Sequence, residues 1–377
     1  MERIDRLRRA GVSIWLDDLS RELLETGAFQ ALIDDLGVTG ATSNPTIFAK
    51  ALGSSDRYEP QLGELAASGV ADPREAYVEL ALTDVRAAAD ALRPIFDATG
   101  GRDGFVSLQC TPDLADDTAA TVAQACSLAR RIGRPNALIK VAATAAGVEA
   151  VEELTARGVN VNVTLLFSVA RHEEVAEAYA AGLRRRIAAG LPVRRIASVA
   201  SFFVSRVDAT ADPQLPAGSP LRGRVAIANA RDADRRHRER LDRPAWQALA
   251  DAGARPQRLL WASTAVKDPA SRDVLYLEEL VLPGTIVTTP EPTLRAFADH
   301  GRVGGSAYVL DPSAARSTLR AASAAGLDLE RIAAELERDG VRRFRDAYEH
   351  VLETLEPALR RPPRSSARAV TAGRAGS

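Results

Sequence analysis

Lysine is rare in this chain, and one lysine stands where its amine can act as a nucleophile. Only Lys50, Lys140 and Lys267 are present, and arginine supplies all the rest of the 49 lysine and arginine residues. Lys140 lies inside the apolar run LIKVA, where burial lowers the pKa of an amine. A neutral amine adds to ketones, so Lys140 is predicted to form a Schiff base. The alternatives are a structural ion pair for Lys140 and an ordinary helix-surface charge for Lys50.

Schiff-base chemistry needs a second group that moves protons. The candidate is Asp17, at the end of the first apolar run of the chain, residues 12–17. The competing interpretation is that Asp17 or Asp18 caps a helix that begins near Ser20. Other polar residues also end apolar runs, and in a barrel the carboxyl ends of strands face the active site. The predicted polar ring consists of Asp17, Thr42, Asn44, Gln109, Lys140, Asn162, Thr164, Ser201 and Ser263.

Two cations beyond the later runs predict a phosphate site. Arg206 follows the sixth apolar run, at 196–203, and Lys267 follows the seventh, at 259–263. A planar arginine fork together with a lysine point charge suits a phosphate dianion. For Arg206 the alternative is a surface ion pair with Asp208. No metal or cofactor is expected, because the 4 histidines are scattered and no H-E-x-x-H, P-loop or G-x-S-x-G motif is present.

Apolar runs of strand length alternate with segments of helical periodicity along the chain. The runs are near-continuous in apolar or small residues, which is typical of strands buried on both faces of a parallel sheet. Strand–helix units in series favour a (β/α)8 TIM barrel over a doubly wound sheet, since no glycine-rich fingerprint follows the first run. The runs span residues 12–17, 38–43, 105–109, 137–141, 159–167, 196–203, 259–263 and 285–288.

The barrel is expected to occupy residues 1–360 as a single domain. Extra helices are predicted in insertions at 51–73 and 208–258, and a helical C-terminal extension over 327–359. Residues 361–377 contain few bulky apolar side chains and are predicted to be a disordered tail.

Composition excludes several classes of protein. The 377 residues carry a net charge of −1, which argues against a general binder of nucleic acid or anionic membranes. No apolar run approaches the roughly 18 residues that span a bilayer. The 2 cysteines cannot form a disulfide scaffold, so a cytoplasmic location is expected. The oligomeric state is expected to be monomer or homodimer.

Several motifs together give the chain a resemblance to a known family. TSNPTIF at 42–48 resembles the first transaldolase signature, and LIKVAATAAGV at 138–148 resembles the second, which carries the Schiff-base lysine. The segments at 158–183, 201–208 and 261–269 follow as they do in that family. Similarity runs from about Ser13 to Leu359, and it is strongest to the long bacterial transaldolases of actinobacterial type.

This resemblance implies a class I aldolase-type barrel. The implied reaction moves a dihydroxyacetone unit from sedoheptulose 7-phosphate to glyceraldehyde 3-phosphate, so sugar phosphates are the expected partners. Lys140 matches the Schiff-base lysine, Asp17 the proton-transfer aspartate and Thr164 the threonine that holds the catalytic water. The matches to substrate-hydroxyl contacts are Thr42, Asn44, Asn162 and Ser201. The matches to the phosphate pocket are Arg206, Ser263 and Lys267.

The chain departs from the family pattern at Gln109, where the family has a glutamate that is thought to polarise the catalytic water. A glutamine still holds water, but it carries no charge. A second departure is Ala265, which strains its loop if the glycine usual there needs a positive φ. The related fructose-6-phosphate aldolases pair such a glutamine with a tyrosine, whereas this chain has Phe203, the transaldolase residue.

Three functions follow, with transaldolase first. The second is a diverged paralogue that performs aldol transfer or cleavage on another ketose phosphate. The third is a catalytically weak barrel retained as a binding protein, against which the retention of Lys140 and Asp17 argues.

Overall fold

Eight parallel strands close into a barrel in the computed structural model, which describes residues 2–304 and 313–360. The strands are β1 (Ser13–Leu16), β2 (Gly40–Thr42), β3 (Phe105–Gln109), β4 (Ala137–Ala142), β5 (Val161–Leu166), β6 (Ser198–Phe203), β7 (Arg258–Ala262) and β8 (Ile286–Thr289). Each pairs in parallel with the next, and β1 pairs with β8. All eight apolar runs therefore form strands, and the TIM-barrel prediction is confirmed. Closure of the ring excludes the doubly wound sheet.

Helices follow the strands and also fill the predicted insertions. They are α1 (Glu2–Arg9), α2 (Arg21–Glu25), α3 (Ala28–Leu36), α4 (Pro45–Ser54), α5 (Glu59–Ala67), α6 (Pro73–Ala98), α7 (Thr118–Ile132), α8 (Ala145–Arg157), α9 (Val169–Ala188), α10 (Ser205–Ala211), α11 (Val225–Leu241), α12 (Pro244–Asp251), α13 (Leu275–Glu279), α14 (Glu291–His300), α15 (Ser313–Ala324) and α16 (Leu329–Leu359). Within the described ranges, no helix is long and apolar enough to cross a bilayer. The predicted tail at 361–377 lies outside the described residues.

Local sequence signals fix where the helices near the site begin and end. Asn44 accepts a hydrogen bond from the backbone N–H of Ile47 at 3.0 Å, and Pro45 is the first residue of α4. Proline suits that position because its missing N–H would have no partner within the helix. At the other end of a helix, α8 stops at Gly158, whose φ of 85° is left-handed.

The strand register places the chemically interesting residues next to one another on neighbouring strands. Gln109 of β3 lies opposite Lys140 of β4, and Lys140 lies opposite Asn162 of β5. Asn162 also bonds to Ser107 on β3, which is not its neighbouring strand. That contact crosses the interior, so these side chains point inward.

The predicted C-terminal extension is the helix α16, and it packs over the carboxyl ends of the strands. Gly340 abuts Leu165 so closely that a Cβ at position 340 would lie 2.8 Å from Leu165 Cδ2. Leu165 has a φ of 64° at an irregularity in β5. Val341 and Phe344, on the same face of α16, line one cavity with Gln109. The extension is therefore part of the wall around the site.

Candidate active site

Lys140 is buried inside the barrel and has no carboxylate partner among the described residues. Its side chain projects from β4, the residue is 4% exposed, and Nζ donates to the backbone oxygen of Ser43 at 3.3 Å. Burial lowers the pKa of Lys140 to about 8, while the nearby charge of Asp17 acts in the opposite direction. In the described part of the chain no carboxylate lies within ion-pair distance of this amine, so the structural ion pair is not formed. Lys50, by contrast, is exposed, in agreement with the surface interpretation.

Asp17 follows β1 and lies in the same interior as Lys140. Its Oδ1 accepts a hydrogen bond from Thr42 Oγ1 at 2.8 Å, and Thr42 Oγ1 is 3.0 Å from Thr288 Oγ1. The capping interpretation of Asp17 is wrong, because Ser20 itself caps α2 by accepting from the N–H of Leu23. The Asp17 carboxylate is thus held by one hydroxyl and is available for proton transfer.

A chain of hydrogen bonds runs through the barrel interior from β6 to β3. Ser201 Oγ donates to Asn162 Oδ1 at 2.7 Å, and Asn162 Nδ2 donates to Ser107 Oγ at 3.0 Å. These bonds fix the orientation of the Asn162 amide. Ser107 was missed in the sequence, although its position two residues before Gln109 on the same strand gives it the same inward direction.

Gln109 and Thr164 each have a buried side-chain oxygen that is not bonded to any residue the structure describes. Gln109 Nε2 donates to the backbone oxygen of Lys140 at 3.3 Å, which leaves Oε1 as an acceptor. Gln109 Oε1 and Thr164 Oγ1 are both buried without a hydrogen-bond partner in the described protein. An unsatisfied buried polar group costs about 1–3 kcal/mol. Both groups are therefore suited to binding a small polar molecule beside Lys140.

Arg206 is half-buried at the start of α10 and forms no ion pair with a carboxylate in residues 2–304 or 313–360. Its guanidinium carbon lies 5.3 Å above the ring of Phe203, and Nη1 is buried without a partner in the described protein. The predicted alternative, an ion pair with Asp208, is wrong. Asp208 instead accepts from Tyr276 Oη at 2.9 Å and from the N–H of Ala226 at 2.8 Å.

Ser263 is joined to the helix that carries Arg206, whereas Lys267 is not. Ser263 Oγ lies 2.9 Å from Ser205 Oγ, and the N–H of Ser205 donates to the backbone oxygen of Ser263 at 3.0 Å. Lys267 is exposed and makes no hydrogen bond or ion pair with another described residue. Ser263 has a left-handed φ of 56°, but Ala265 does not have a positive φ, so the expected strain at Ala265 is absent.

A buried ion pair lies behind this site, and no pattern in the sequence predicted it. Arg21 Nε donates to Asp84 Oδ1 at 2.9 Å, and Tyr58 Oη donates to Asp84 Oδ2 at 2.8 Å. Burial raises the pKa of Asp84, and the charge of Arg21 opposes that shift. Asp84 lines the same small cavity as Asn44 and Gln109. The cluster thus supports the wall of the site from α2 and α6.

Comparison with known proteins identifies the family of this chain. The profile of the family described as Transaldolase/Fructose-6-phosphate aldolase matches residues 14–355. The chain is 48% identical to "Transaldolase 1" of Streptomyces avermitilis, over 96% of each chain. It is also 48% identical to "Transaldolase" of Acidothermus cellulolyticus, over 96% of this chain and 98% of the relative. For "Transaldolase" of Frankia alni the identity is 46%, over 95% and 98%.

Proposed function

We propose a transaldolase reaction for this chain, which belongs to the transaldolase/fructose-6-phosphate aldolase family. A dihydroxyacetone unit is transferred from sedoheptulose 7-phosphate to glyceraldehyde 3-phosphate, giving erythrose 4-phosphate and fructose 6-phosphate. The observation that carries the proposal is the buried amine of Lys140, which has no carboxylate partner among the described residues and lies near Asp17. The enzyme is proposed to act in the cytoplasm, without a cofactor, as a monomer or homodimer.

Lys140 forms the covalent intermediate in this proposal. Its neutral amine adds to the ketone carbon of the donor and water leaves, which gives an imine. Asp17 then removes the proton of the hydroxyl on the carbon beyond the bond to be broken. That bond breaks and the aldose leaves. The electron pair of the broken bond passes to the imine, which is protonated from solvent, and the lysine-bound dihydroxyacetone unit becomes a neutral enamine.

Transfer to the acceptor reverses these steps. The enamine carbon attacks the aldehyde of glyceraldehyde 3-phosphate, and the new alkoxide takes the proton held by Asp17. Water then hydrolyses the imine and releases the amine of Lys140. Gln109 and Thr164 are proposed to hold this water, because each has a free buried oxygen.

The remaining polar residues are proposed to bind the sugar. Substrate hydroxyls are assigned to Thr42, Asn44, Asn162 and Ser201. Asn44 has its Oδ1 occupied as a helix cap, so its amide nitrogen is the group that contacts substrate. Phe203 forms an apolar wall beneath Arg206, and Arg206, Ser263 and Lys267 are assigned to the phosphate.

Borohydride trapping tests the proposed function. Incubation with fructose 6-phosphate and borohydride is expected to add one reduced dihydroxyacetone unit to the intact protein, measured by mass spectrometry. Addition of an aldehyde acceptor before the reductant is expected to lower the yield of this adduct, because the bound unit is transferred. An active protein without an adduct would contradict the proposal.

Arg206→Ala is expected to weaken binding of phosphorylated donors. Loss of a charge-assisted hydrogen bond costs about 1.5–3 kcal/mol, so KM for fructose 6-phosphate rises about ten-fold or more. Steady-state kinetics with dihydroxyacetone as an unphosphorylated donor provide the control. Equal losses on both donors would show that Arg206 does not bind the phosphate.

A second candidate function is favoured by the hydrogen bond that Gln109 makes. Gln109 Nε2 donates to the backbone oxygen of Lys140, a bond that an ionised glutamate cannot make. The amide is therefore matched to its neighbours in this chain. We propose as the second candidate the same Schiff-base chemistry on another ketose phosphate.

Gln109→Glu is expected to slow imine formation about ten-fold, because an ionised carboxylate would face the carbonyl of Lys140 and lose a hydrogen bond inside a buried site. Single-turnover trapping with borohydride measures this step directly. Gln109→Ala is the matched control, since it removes the amide without adding charge. A Gln109→Glu variant that forms the imine faster than the wild type would contradict the second candidate.

A further inference from the structure

The helix α16 brings charged side chains to the mouth of the barrel. Val341 and Phe344 line one cavity with Gln109, and Gly340 packs against Leu165. Arg343 lies three residues after Gly340, so the two positions are neighbours on the helix surface and Arg343 flanks this inward face. α16 also packs against α10, the helix that begins beside Arg206. Arg206 and Arg343, which are distant in the sequence, therefore belong to two helices that pack against each other near the mouth.

The charges of these two arginines are close enough to affect each other. Burial lowers the pKa of Arg206, and the charge of Arg343 lowers it further, whereas Asp339 and Asp17 act in the opposite direction. Arg206 has no ion pair among the described residues. Two like charges, one of them partly removed from water, are stabilised most strongly by an anion that contacts both.

Asp339 forms an ion pair with Arg343 but does not neutralise all the arginines nearby. Its Oδ2 accepts from Arg343 Nε at 2.5 Å, and its Oδ1 accepts from Arg342. The single carboxylate of Asp339 thus pairs with two guanidinium groups. Arg206 adds a third positive charge nearby. The Arg343 side chain is 63% exposed. An ion pair this exposed contributes little to the free energy of folding, so Arg343 can leave Asp339 for another anion at low cost.

We propose that Arg343 is a second phosphate-binding arginine, which leaves Asp339 and joins Arg206 on the phosphate of a bound sugar. This inference rests on the proposed function, because it assigns a specificity-determining residue to the same site. Asp339 is the partner of Arg343 in the free protein, and it competes with the phosphate for that arginine. A C-terminal helix that forms the wall of the site thereby also recognises the substrate.

Arg342 offers a matched control for this assignment. It bonds to the same Asp339, it lies next to Arg343 in the chain, and its side chain is 70% exposed. Arg342 follows Val341 but lies on a different side of the helix from Gly340 and Phe344. Truncation of either arginine removes one surface ion pair, so a purely structural role predicts the same result for both.

The experiment compares Arg343→Ala, Arg342→Ala and Asp339→Asn by steady-state kinetics with fructose 6-phosphate and with dihydroxyacetone as donors. Arg343→Ala is expected to lower the ratio of kcat/KM for the phosphorylated to the unphosphorylated donor about ten-fold, through KM. Arg342→Ala is expected to keep the ratio within about two-fold. Asp339→Asn is expected to raise this ratio, because the competing anion is removed.

Inhibition by inorganic phosphate is a second measurement. Phosphate, as a competitive inhibitor, is expected to bind Arg343→Ala about ten-fold more weakly than the wild type.

Equal ratios for Arg343→Ala and Arg342→Ala would overturn the inference, as would an unchanged inhibition constant for phosphate in Arg343→Ala. Thermal unfolding of each variant checks that the fold is retained. Failure of this inference is distinguishable from failure of the proposed function. Trapping at Lys140 and the effect of Arg206→Ala test the proposed function, and neither depends on Arg343.

Discussion

Lys140→Arg is expected to abolish the borohydride-trapped adduct and all transfer of the dihydroxyacetone unit. A guanidinium stays protonated at any usable pH, so it has no free electron pair with which to attack a ketone. The substitution retains a positive charge and a long side chain. Loss of activity therefore reports the missing amine rather than a missing charge. Intact-protein mass spectrometry after reduction measures the adduct, and peptide mapping gives its position.

Lys50→Arg is the matched control for this loss, because Lys50 is exposed on α4. It is expected to trap as well as the wild type. An adduct that maps to Lys50 or Lys267, or that survives in Lys140→Arg, would contradict the assignment.

The pH dependence of trapping gives an independent measure of the same amine. With a pKa of about 8 for Lys140, most of the amine is protonated below that pH and most is neutral above it. Only the neutral form attacks the ketone. The rate of imine formation at low substrate concentration is therefore expected to rise with pH and to level off above about 8, instead of above the ordinary value near 10.4. Stopped-time trapping across this pH range makes the measurement.

Most of the fold could be predicted because a barrel of parallel strands has a strong pattern in the sequence. Its strands are buried on both faces, so each run is almost continuously apolar, and 105–109 coincides with β3 as found. The ends of some other runs extend past the strands, as 159–167 does at both ends of β5. There the pattern continues into residues that flank the strand: Val159 and Asn160 are partly buried and Phe167 is buried.

The site could be predicted in part, for a related reason. Lys140 and Asn162 lie within strands, so the barrel topology alone places them together. Interactions between distant segments could not be predicted in this way. Asp208 lies two residues from Arg206 but bonds to Tyr276, and the helix of Arg343 lies near that of Arg206 only because α16 packs against α10. A local sequence pattern does not indicate which distant side chain will form an ion pair or hydrogen bond with a given residue.

Asp17→Asn is expected to lower kcat by roughly 10²- to 10⁴-fold, the usual contribution of a positioned acid–base group. Asparagine has the same shape and still accepts the hydrogen bond from Thr42, so the local structure is retained. It cannot take the proton of the substrate hydroxyl, however, and cleavage of the carbon–carbon bond is the step that stops. Imine formation at Lys140 does not use that proton.

The mass of the trapped adduct then distinguishes this role from a structural one. In Asp17→Asn the imine forms with the whole donor and persists, so reduction adds an intact fructose 6-phosphate rather than a dihydroxyacetone unit. Asp18→Asn, one residue further along, is the matched control and is expected to give the dihydroxyacetone adduct. A dihydroxyacetone adduct in Asp17→Asn at the wild-type rate would mean that another group removes the proton. A complete absence of adduct would mean that Asp17 holds Lys140 in place instead of breaking the bond.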